Sequence, residues 1–324
     1  MANYYQWFHG CAALAATASF QAQMRVTAPT KGDPMPFEDV MIAVNRWLVA
    51  TEALAAVGAE LTLMQAAKPG HPDVAGALQA VSAAAGLADL GELPPPQREM
   101  LIGLIRMGLH QAADLIDDPG RPPGWTFTDP AILQGWGRGS MVVPGSLASA
   151  APELADVRSF LDVGAGIGLL AIAAARAWPQ AAIVGIETWG PSLEAAAANV
   201  RAAGLDDKIT IRDQDVTTLD DTDAYDCVWL PTFFVTEAVL EAALPRLYRA
   251  VRPGGWLVLG RMVPPTDPLA QKTTALRTIR GGGAEFDTKR LVAALETAGC
   301  TAVRVLPRQG PAPLEYVIGQ RPAV

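Results

Sequence analysis

The order of apolar and polar residues divides the chain into two parts. From residue 37 to about residue 118, apolar residues recur at helical spacing and no strand pattern is convincing. This pattern predicts three helices, at residues 38–68, 73–90 and 96–117. Residues 118–124, Asp-Pro-Gly-Arg-Pro-Pro-Gly, have Pro or Gly at five of seven positions, so we place the domain boundary there.

After this boundary, strand and helix patterns alternate. Short β-branched runs predict seven strands, at residues 159–163, 182–187, 208–212, 225–230, 256–262, 302–306 and 315–318. Helical patterns separate the first five strands, at residues 169–177, 191–203 and 237–251. Repeated strand–helix–strand units predict an α/β fold with a parallel sheet, and the turn at 307–313 predicts an antiparallel hairpin at the sheet edge. We therefore expect a helical domain at 1–124 and an α/β domain at 125–324.

Composition excludes several classes of function. The chain has 25 Lys and Arg against 33 Asp and Glu, a net charge of -8, which argues against a nucleic-acid partner and against anionic membranes. Three scattered cysteines, Cys11, Cys227 and Cys300, predict neither a disulfide scaffold nor a cysteine zinc site. No uninterrupted apolar run approaches the ~20 residues of a membrane span. The apolar residues 10–20 lack a preceding Lys or Arg, so we expect a cytoplasmic protein and no signal peptide.

A glycine-rich turn joins the first predicted strand to the helix that follows it. Gly164, Gly166 and Gly168 have G-x-G-x-G spacing, and Leu169 occupies the place of the third glycine in a dinucleotide-binding fingerprint. Glycines let a backbone approach a ligand closely, and a helix start offers free N–H groups. An ordinary strand-to-helix turn is the alternative interpretation of this segment taken alone.

Two acidic residues follow the next two strands. Glu187 closes the second strand, where a carboxylate can accept hydrogen bonds from both ribose hydroxyls. Asp215 follows the third strand, where it can receive the amino group of an adenine. Either residue alone is equally well a solvated loop carboxylate. In this order behind a glycine-rich turn, they predict a nucleoside site.

From about residue 125, the sequence resembles the class I S-adenosylmethionine-dependent methyltransferases. The resemblance is carried by the 161–168 loop, Glu187, the Asp215–Val216 pair, Tyr225 with Asp226, and the 251–256 segment Val-Arg-Pro-Gly-Gly-Trp. It implies a Rossmann-like seven-stranded sheet in the order 3-2-1-4-5-7-6 with an antiparallel last strand. It also implies S-adenosyl-L-methionine as the cofactor.

The same resemblance implies a set of cofactor-binding residues. That set is Asp162, Gly164, Ala165, Gly166, Gly168, Glu187, Thr188, Trp189, Asp215, Val216, Leu230 and Pro231. Gly164 to Gly166 would pass under the methionine part, and Asp162 would reach its amino group through water. Glu187 would hold the ribose. Trp189 would either flank the adenine or pack on a helix.

The end of the fourth strand bears on the acceptor. Amino methyltransferases of this class have Asn or Asp before Pro-Pro-Tyr or Pro-Pro-Phe there, whereas residues 230–234 are Leu-Pro-Thr-Phe-Phe. Leu230 therefore argues against a nucleobase or glutamine acceptor. The helical N-terminal half makes the chain similar to caffeic-acid-type and bacterial polyketide O-methyltransferases. In these, such a domain forms a homodimer and caps the substrate pocket, with residues 124–141 here as the connecting helix.

The resemblance fails at the catalytic base. Those O-methyltransferases carry a histidine after the fourth strand, but Val235 falls at or beside that position and no histidine follows His110. The catalytic residue is therefore unknown, with Glu237, His110 and His9 as candidates. Each has a purely structural alternative: a helix-start carboxylate, a surface or core histidine, and an aromatic anchor, respectively. No spacing predicts a metal site.

The sequence thus predicts methyl transfer from S-adenosylmethionine to a small organic acceptor, as O- or N-methylation of a specialised metabolite. One alternative keeps the cofactor pocket without methyl transfer, as a structural cofactor or in a pericyclase-like rearrangement, and the missing histidine motivates it. A nicotinamide-dependent dehydrogenase is a further alternative, against which Leu169 argues.

Overall fold

The computed structural model describes residues 36–66, 70–308 and 313–323, and His9 lies outside them. The chain divides into two compact units, with the division between Pro119 and Gly120. Each unit is described separately.

The N-terminal unit contains the three predicted helices. They are α1 (Phe37–Gln65), α2 (Pro72–Ala84) and α3 (Pro95–Asp117), and a short 3-10 helix, Leu90–Glu92, precedes α3. The predicted end of the second helix at residue 90 is wrong, since α2 ends at Ala84 and Gly86 takes a left-handed φ of 78°. Val57 and Leu61 of α1 pack with Ile102 and Ile105 of α3. The N-terminal unit is therefore helical and has a small apolar core of its own.

Helix α1 exposes several large apolar side chains. Among them are Phe37, Ile42, Leu48 and Val49. Among the described residues, α1 alone has the length and the mean hydropathy, 1.5, of a membrane span. Charged residues such as Glu52 interrupt the apolar sequence of this helix, so no uninterrupted apolar run marks it as long enough to span a membrane. Length and composition alone are weak evidence for a membrane helix.

The C-terminal unit is a seven-stranded sheet covered by helices. Its strands are β1 (Ser159–Val163), β2 (Ala182–Glu187), β3 (Ile209–Asp213), β4 (Tyr225–Pro231), β5 (Val251–Met262), β6 (Thr301–Val305) and β7 (Leu314–Gln320). The helices of this unit are α4 (Pro130–Ser140), α5 (Val143–Ala150), α6 (Leu169–Ala177), α7 (Gly190–Ala202), α8 (Glu237–Ala250), α9 (Pro268–Arg280) and α10 (Thr288–Thr297). The order β3-β2-β1-β4-β5-β7-β6 confirms the predicted topology. The first five strands are parallel, and β7 is antiparallel to both β5 and β6.

The middle of the sheet is buried on both faces, as expected for a parallel sheet covered by helices. Every residue of β4 is buried. Trp229 of β4 lies against Gly260 of β5, where an added Cβ would overlap its indole ring. The ring also meets Tyr316 of β7 at 5.8 Å between centroids. This contact joins three adjacent strands and holds the carboxyl ends of β4 and β5 together.

Hydrogen bonds fix the register of β1 and β4 at their amino ends. Asp226 Oδ2 accepts from the backbone N–H groups of Arg158 at 2.6 Å and Ser159 at 3.0 Å. Ser159 Oγ in turn accepts from the backbone N–H of Asp226 at 2.9 Å. The other carboxylate oxygen of Asp226, Oδ1, forms an ion pair with Arg252. Because the register is fixed at one end, the loops after the other end have defined positions.

Candidate active site

The loop after β1 is built from three glycines in the left-handed conformation. Gly164, Gly166 and Gly168 have φ values of 68°, 56° and 77°, which L side chains rarely adopt. An added Cβ at Gly166 would meet open space, and one at Gly164 would have only Pro231 within 4 Å. At Gly168, by contrast, a Cβ would lie 3.3 Å from that of Ala196. The first two glycines therefore leave room for a ligand, and the third lets α6 and α7 pack together.

Glu187 connects this loop to the end of β2. Its Oε2 accepts from the backbone N–H of Gly166 at 2.8 Å. Its Oε1 accepts from the N–H groups of Thr188 at 2.8 Å and Trp189 at 2.9 Å. A carboxylate offers about four lone-pair positions, so one position on Oε2 stays available for a ligand hydroxyl.

Asp162 is a carboxylate in the core of the sheet. Asp162 is 1% exposed, and its Oδ2 has no hydrogen-bond partner among the described residues. Burial, and then the negative charge of Glu187, raise the pKa of Asp162 to about 8. A buried acidic oxygen without a partner is unusual in a folded protein and points to a ligand. It stands two residues before Gly164.

The predicted adenine-binding residues follow β3. Asp215 is exposed, and its Oδ1 accepts from the backbone N–H and the hydroxyl of Thr217, both at 2.7 Å. This contact caps the short 3-10 helix Val216–Thr218, and the Val216 side chain is buried. Trp189 lies at the start of α7, and its Nε1 donates to the Phe127 carbonyl at 2.9 Å. That bond fixes the indole, and contact of these residues with an adenine stays a prediction.

Helix α4 packs directly on the glycine-rich loop. An added Cβ at Gly137 would lie 2.7 Å from a side-chain carbon of Ile167 and 3.3 Å from one of Leu169. Only a glycine lets the helix come this close. The alternating glycines of residues 135–139, Gly-Trp-Gly-Arg-Gly, could have signalled such an approach but were not used in the prediction.

Two amide side chains add a hydrogen-bonded link between α4 and the same loop. Gln134 Nε2 of α4 donates to Asn199 Oδ1 of α7 at 3.1 Å. Asn199 Nδ2 donates to the carbonyl of Ile167 at 2.9 Å. The sequence analysis missed both residues, because no motif distinguishes them from other polar positions on helices.

Beyond the end of β4, five aromatic side chains form a cluster, which we call the aromatic cluster: Trp125, Phe127, Trp136, Phe233 and Phe234. The Phe234 ring lies 5.7 Å from that of Trp125 and 6.2 Å from that of Trp136, both edge to face. Phe233 and Phe234 belong to the 3-10 helix Thr232–Phe234 that follows Pro231 directly. The carboxyl end of β4 therefore meets a large apolar surface.

Comparisons with known proteins agree with this geometry. Residues 160–255 match the family model described as a methyltransferase domain. The C-terminal unit contains a methyltransferase domain. The ribosomal protein uL3 glutamine methyltransferase of Bordetella pertussis is 37% identical over 94 residues, which are 29% of this chain and 31% of that protein. The chain spans less than half the length of the curated relatives it matches.

Solved structures place the fold in the same class. An O-methyltransferase family protein from Burkholderia thailandensis aligns with a TM-score of 0.66 at 15% identity, over 90% of this chain and 99% of that one. Human N-acetylserotonin methyltransferase, solved with S-adenosylmethionine, aligns with a TM-score of 0.67 at 14% identity, over 91% of this chain and 100% of that one. At these identities the likeness establishes the fold, that of a class I methyltransferase with a helical N-terminal region.

The residues present fit S-adenosylmethionine. The methyltransferase domain offers open space at Gly164 and Gly166, and Glu187 has a free acceptor position on Oε2. The unpartnered Oδ2 of Asp162 suits a cationic amino group. Leu230 differs from the sequence interpretation in detail. Its side chain is buried in the apolar core with Leu161 and so offers a ligand only its backbone.

The candidate catalytic bases are not equivalent. Glu237 begins α8, is half exposed, and forms an ion pair with Arg290. Its carboxylate is therefore already engaged by a cation of the protein. His110 is exposed on α3 of the N-terminal unit.

Among the residues that the structure describes, no group of three or more His, Cys, Asp or Glu side chains could hold a metal ion. Cys227 and Cys300 are both buried, and burial raises the pKa of the Cys300 thiol to about 11. Neither thiol is poised as a nucleophile at neutral pH.

Proposed function

We propose that this protein transfers the methyl group of S-adenosylmethionine to a small organic acceptor, a hydroxyl or ring nitrogen of a specialised metabolite. The open glycine-rich loop, flanked by the carboxylates of Asp162 and Glu187, carries this proposal. The match of residues 160–255 to a methyltransferase domain supports it.

Each cofactor-facing residue has a role that follows from its geometry. Gly164 and Gly166 leave space at the backbone, and their neighbour Asp162 accepts hydrogen bonds from an amino group. Glu187 accepts from one ribose hydroxyl on Oε2, since its other positions are engaged by backbone N–H groups. Asp215 Oδ1 accepts a hydrogen bond from Thr217. Its Oδ2 is left to accept from the amino group of the adenine. When bound, S-adenosylmethionine supplies an electrophilic methyl group.

We propose that the acceptor binds at the carboxyl end of β4, where apolar side chains would exclude water. The aromatic cluster and the buried end of β4 present apolar surface, so we propose an acceptor with an apolar body. Removing water leaves the attacking atom less solvated, and fixed orientation supplies much of the rate acceleration in such transfers. Because Glu237 is engaged by Arg290, we propose an acceptor that needs no strong base, such as an ionised phenol or a ring nitrogen.

A calorimetric titration with S-adenosylmethionine, S-adenosylhomocysteine and NAD tests the cofactor. We expect micromolar binding of the first two and none of NAD. A panel of phenols and nitrogen heterocycles, assayed for S-adenosylhomocysteine formation, then tests the reaction. Saturable NAD binding without binding of the first two ligands would overturn the proposal.

A second candidate function keeps the cofactor site without methyl transfer. It is favoured by two observations: the chain has no histidine after His110, and Glu237 is ion-paired. In that case the cofactor would be structural or would assist a rearrangement. Tight cofactor binding with conversion of a substrate, but without any S-adenosylhomocysteine, distinguishes this candidate from the first.

The assembly and location belong to the same proposal. We propose a cytoplasmic homodimer, and the apolar side chains exposed along α1 supply surface for a self-contact. Sedimentation of the purified full chain tests the dimer. Recovery of the chain only with the membrane fraction would contradict it, since α1 also has the length of a span. The roles assigned to the helical unit, dimerisation and substrate lid, stay predictions.

A further inference from the structure

Among the described residues, no hydrogen-bond donor compensates the charge on Asp162 Oδ2. Asp162 pairs in register with Gly185 of β2 and with Trp229 of β4, neither of which carries a charge. Its Oδ2 accepts no hydrogen bond from the described residues, and its residue is 1% exposed. A buried carboxylate in this situation takes up a proton rather than remain charged.

Of the charged groups on β2, β4 and α6, the one that acts on Asp162 favours its protonated form. Glu187, at the end of β2, acts on Asp162 and is negative. On β4, Asp226 is also negative, but it lies at the opposite end of the strand, on Arg158 and Ser159. The basic residue of α6, Arg176, is in the last turn of that helix, away from its start. Together with burial, Glu187 raises the pKa of Asp162 to about 8.

The loop geometry brings a ligand to this group. Asp162 is followed by Val163 and then by Gly164 and Gly166, where the backbone leaves open space. A cation that enters this space replaces the solvation that Asp162 lost on folding. The α-amino group of an amino acid is a cation on the acid side of neutrality.

We propose that Asp162 is protonated in the unliganded protein and releases its proton to solvent when the α-ammonium of the cofactor binds beside it. This inference rests on the proposed function. The balance is simple: a carboxylic acid and an ammonium form a carboxylate–ammonium pair and one free proton. No bond to carbon changes. Cofactor binding therefore competes with protons, and its affinity rises with pH on the acid side of neutrality.

The test is calorimetric titration of the full chain with S-adenosylhomocysteine in two buffers of different ionisation enthalpy. At pH 6.5 we expect release of about one proton per ligand bound, and an affinity that increases about ten-fold from pH 6 to pH 7. The control ligand is 5′-methylthioadenosine, which has the nucleoside but no amino acid part. It is expected to bind without proton release.

The outcomes separate the two proposals. Binding of S-adenosylhomocysteine without proton release, or equal release with 5′-methylthioadenosine, overturns this inference and leaves the methyltransferase proposal standing. Failure of both ligands to bind overturns the methyltransferase proposal and this inference with it. Asp162→Asn, which has no proton to release, should bind more weakly with near-zero release. Both ligand titrations on the unaltered protein decide the matter even if this variant does not fold.

Discussion

Glu187 Oε2 accepts a hydrogen bond from the backbone N–H of Gly166 at 2.8 Å, across the gap between β2 and the loop after β1. Two further backbone N–H groups, of Thr188 and Trp189, hold the other oxygen of the same carboxylate. The carboxylate that we propose binds the ribose is therefore fixed by the protein before any ligand arrives. Such preorganisation lowers the entropic cost of binding.

Replacing Glu187 tests this arrangement. Glu187→Ala removes three charge-assisted hydrogen bonds and the acceptor for the ribose, so we expect at least a ten-fold loss of affinity for S-adenosylhomocysteine, measured by calorimetry. Glu194→Ala, at an exposed position on α7, is the matched control and should bind normally. Equal affinities for the two variants would refute the role of Glu187.

Gly166→Ala separates backbone strain from ligand space. Gly166 and Gly204 have similar left-handed φ values, 56° and 63°, and an added Cβ meets nothing at either site. Both alanine variants should therefore lose about 1–2 kcal/mol of unfolding free energy. Only Gly166→Ala should also lose cofactor binding, because its Cβ points into the proposed ligand space. Normal binding by Gly166→Ala would show that the open space serves another purpose.

The amide link from α4 to the loop predicts an order of effects. Asn199→Ala leaves the Ile167 carbonyl without its donor and should lower the unfolding free energy by about 1–2 kcal/mol. It should also weaken cofactor binding several-fold. Gln134→Ala removes only the outer bond, to Asn199, and should have a smaller effect on both quantities. Chemical denaturation and calorimetry measure them, and the reverse order would contradict the proposed link.

The pH dependence of stability tests the buried carboxylate without any ligand. The pKa of Asp162 is 3.8 when exposed and about 8 in the folded protein. Between these values the folded state holds one proton more than the unfolded state, so this group lowers stability as pH rises from about 4 to 8. The slope is about 1.4 kcal/mol per pH unit. Asp162→Asn lacks this slope.

The measured quantity is the free energy of unfolding of Asp162→Asn minus that of the unaltered chain. This difference should increase with pH through the same range and level off above pH 8. Parallel stability curves from pH 5 to 8 would show that Asp162 titrates normally.

The sequence predicted the sheet well, for physical reasons. Each of the seven strands contains β-branched or aromatic residues, and β1, with four buried residues out of five, reads as an apolar segment. Helices α6, α7 and α8 fall within one residue of their predicted bounds. Helices α5, α9 and α10 were not predicted. Helix α9, for example, has only three large apolar side chains, at Leu269, Leu276 and Ile279, and none of its residues is buried.

The site was predicted only in part. Gly166 and Glu187 were both singled out in the sequence, and a hydrogen bond joins them in the structure, whereas their contact with a cofactor stays a prediction. Asn199 and Gln134 act through contacts between residues 65 positions apart, which no local pattern contains. The partner of Glu237, Arg290, lies 53 positions further along the chain. Such pairings depend on how helices pack, and that is set by the whole fold.

The position of β7 between β5 and β6 has a consequence for synthesis on the ribosome. Strand β6 pairs with β7 alone, so it cannot join the sheet until residues 314–320 have emerged. The parallel strands β1 to β5, together with the glycine-rich loop after β1, are synthesised earlier. Until β7 arrives, β5 presents an open edge, and a nascent chain stalled at this stage would expose it to other strands.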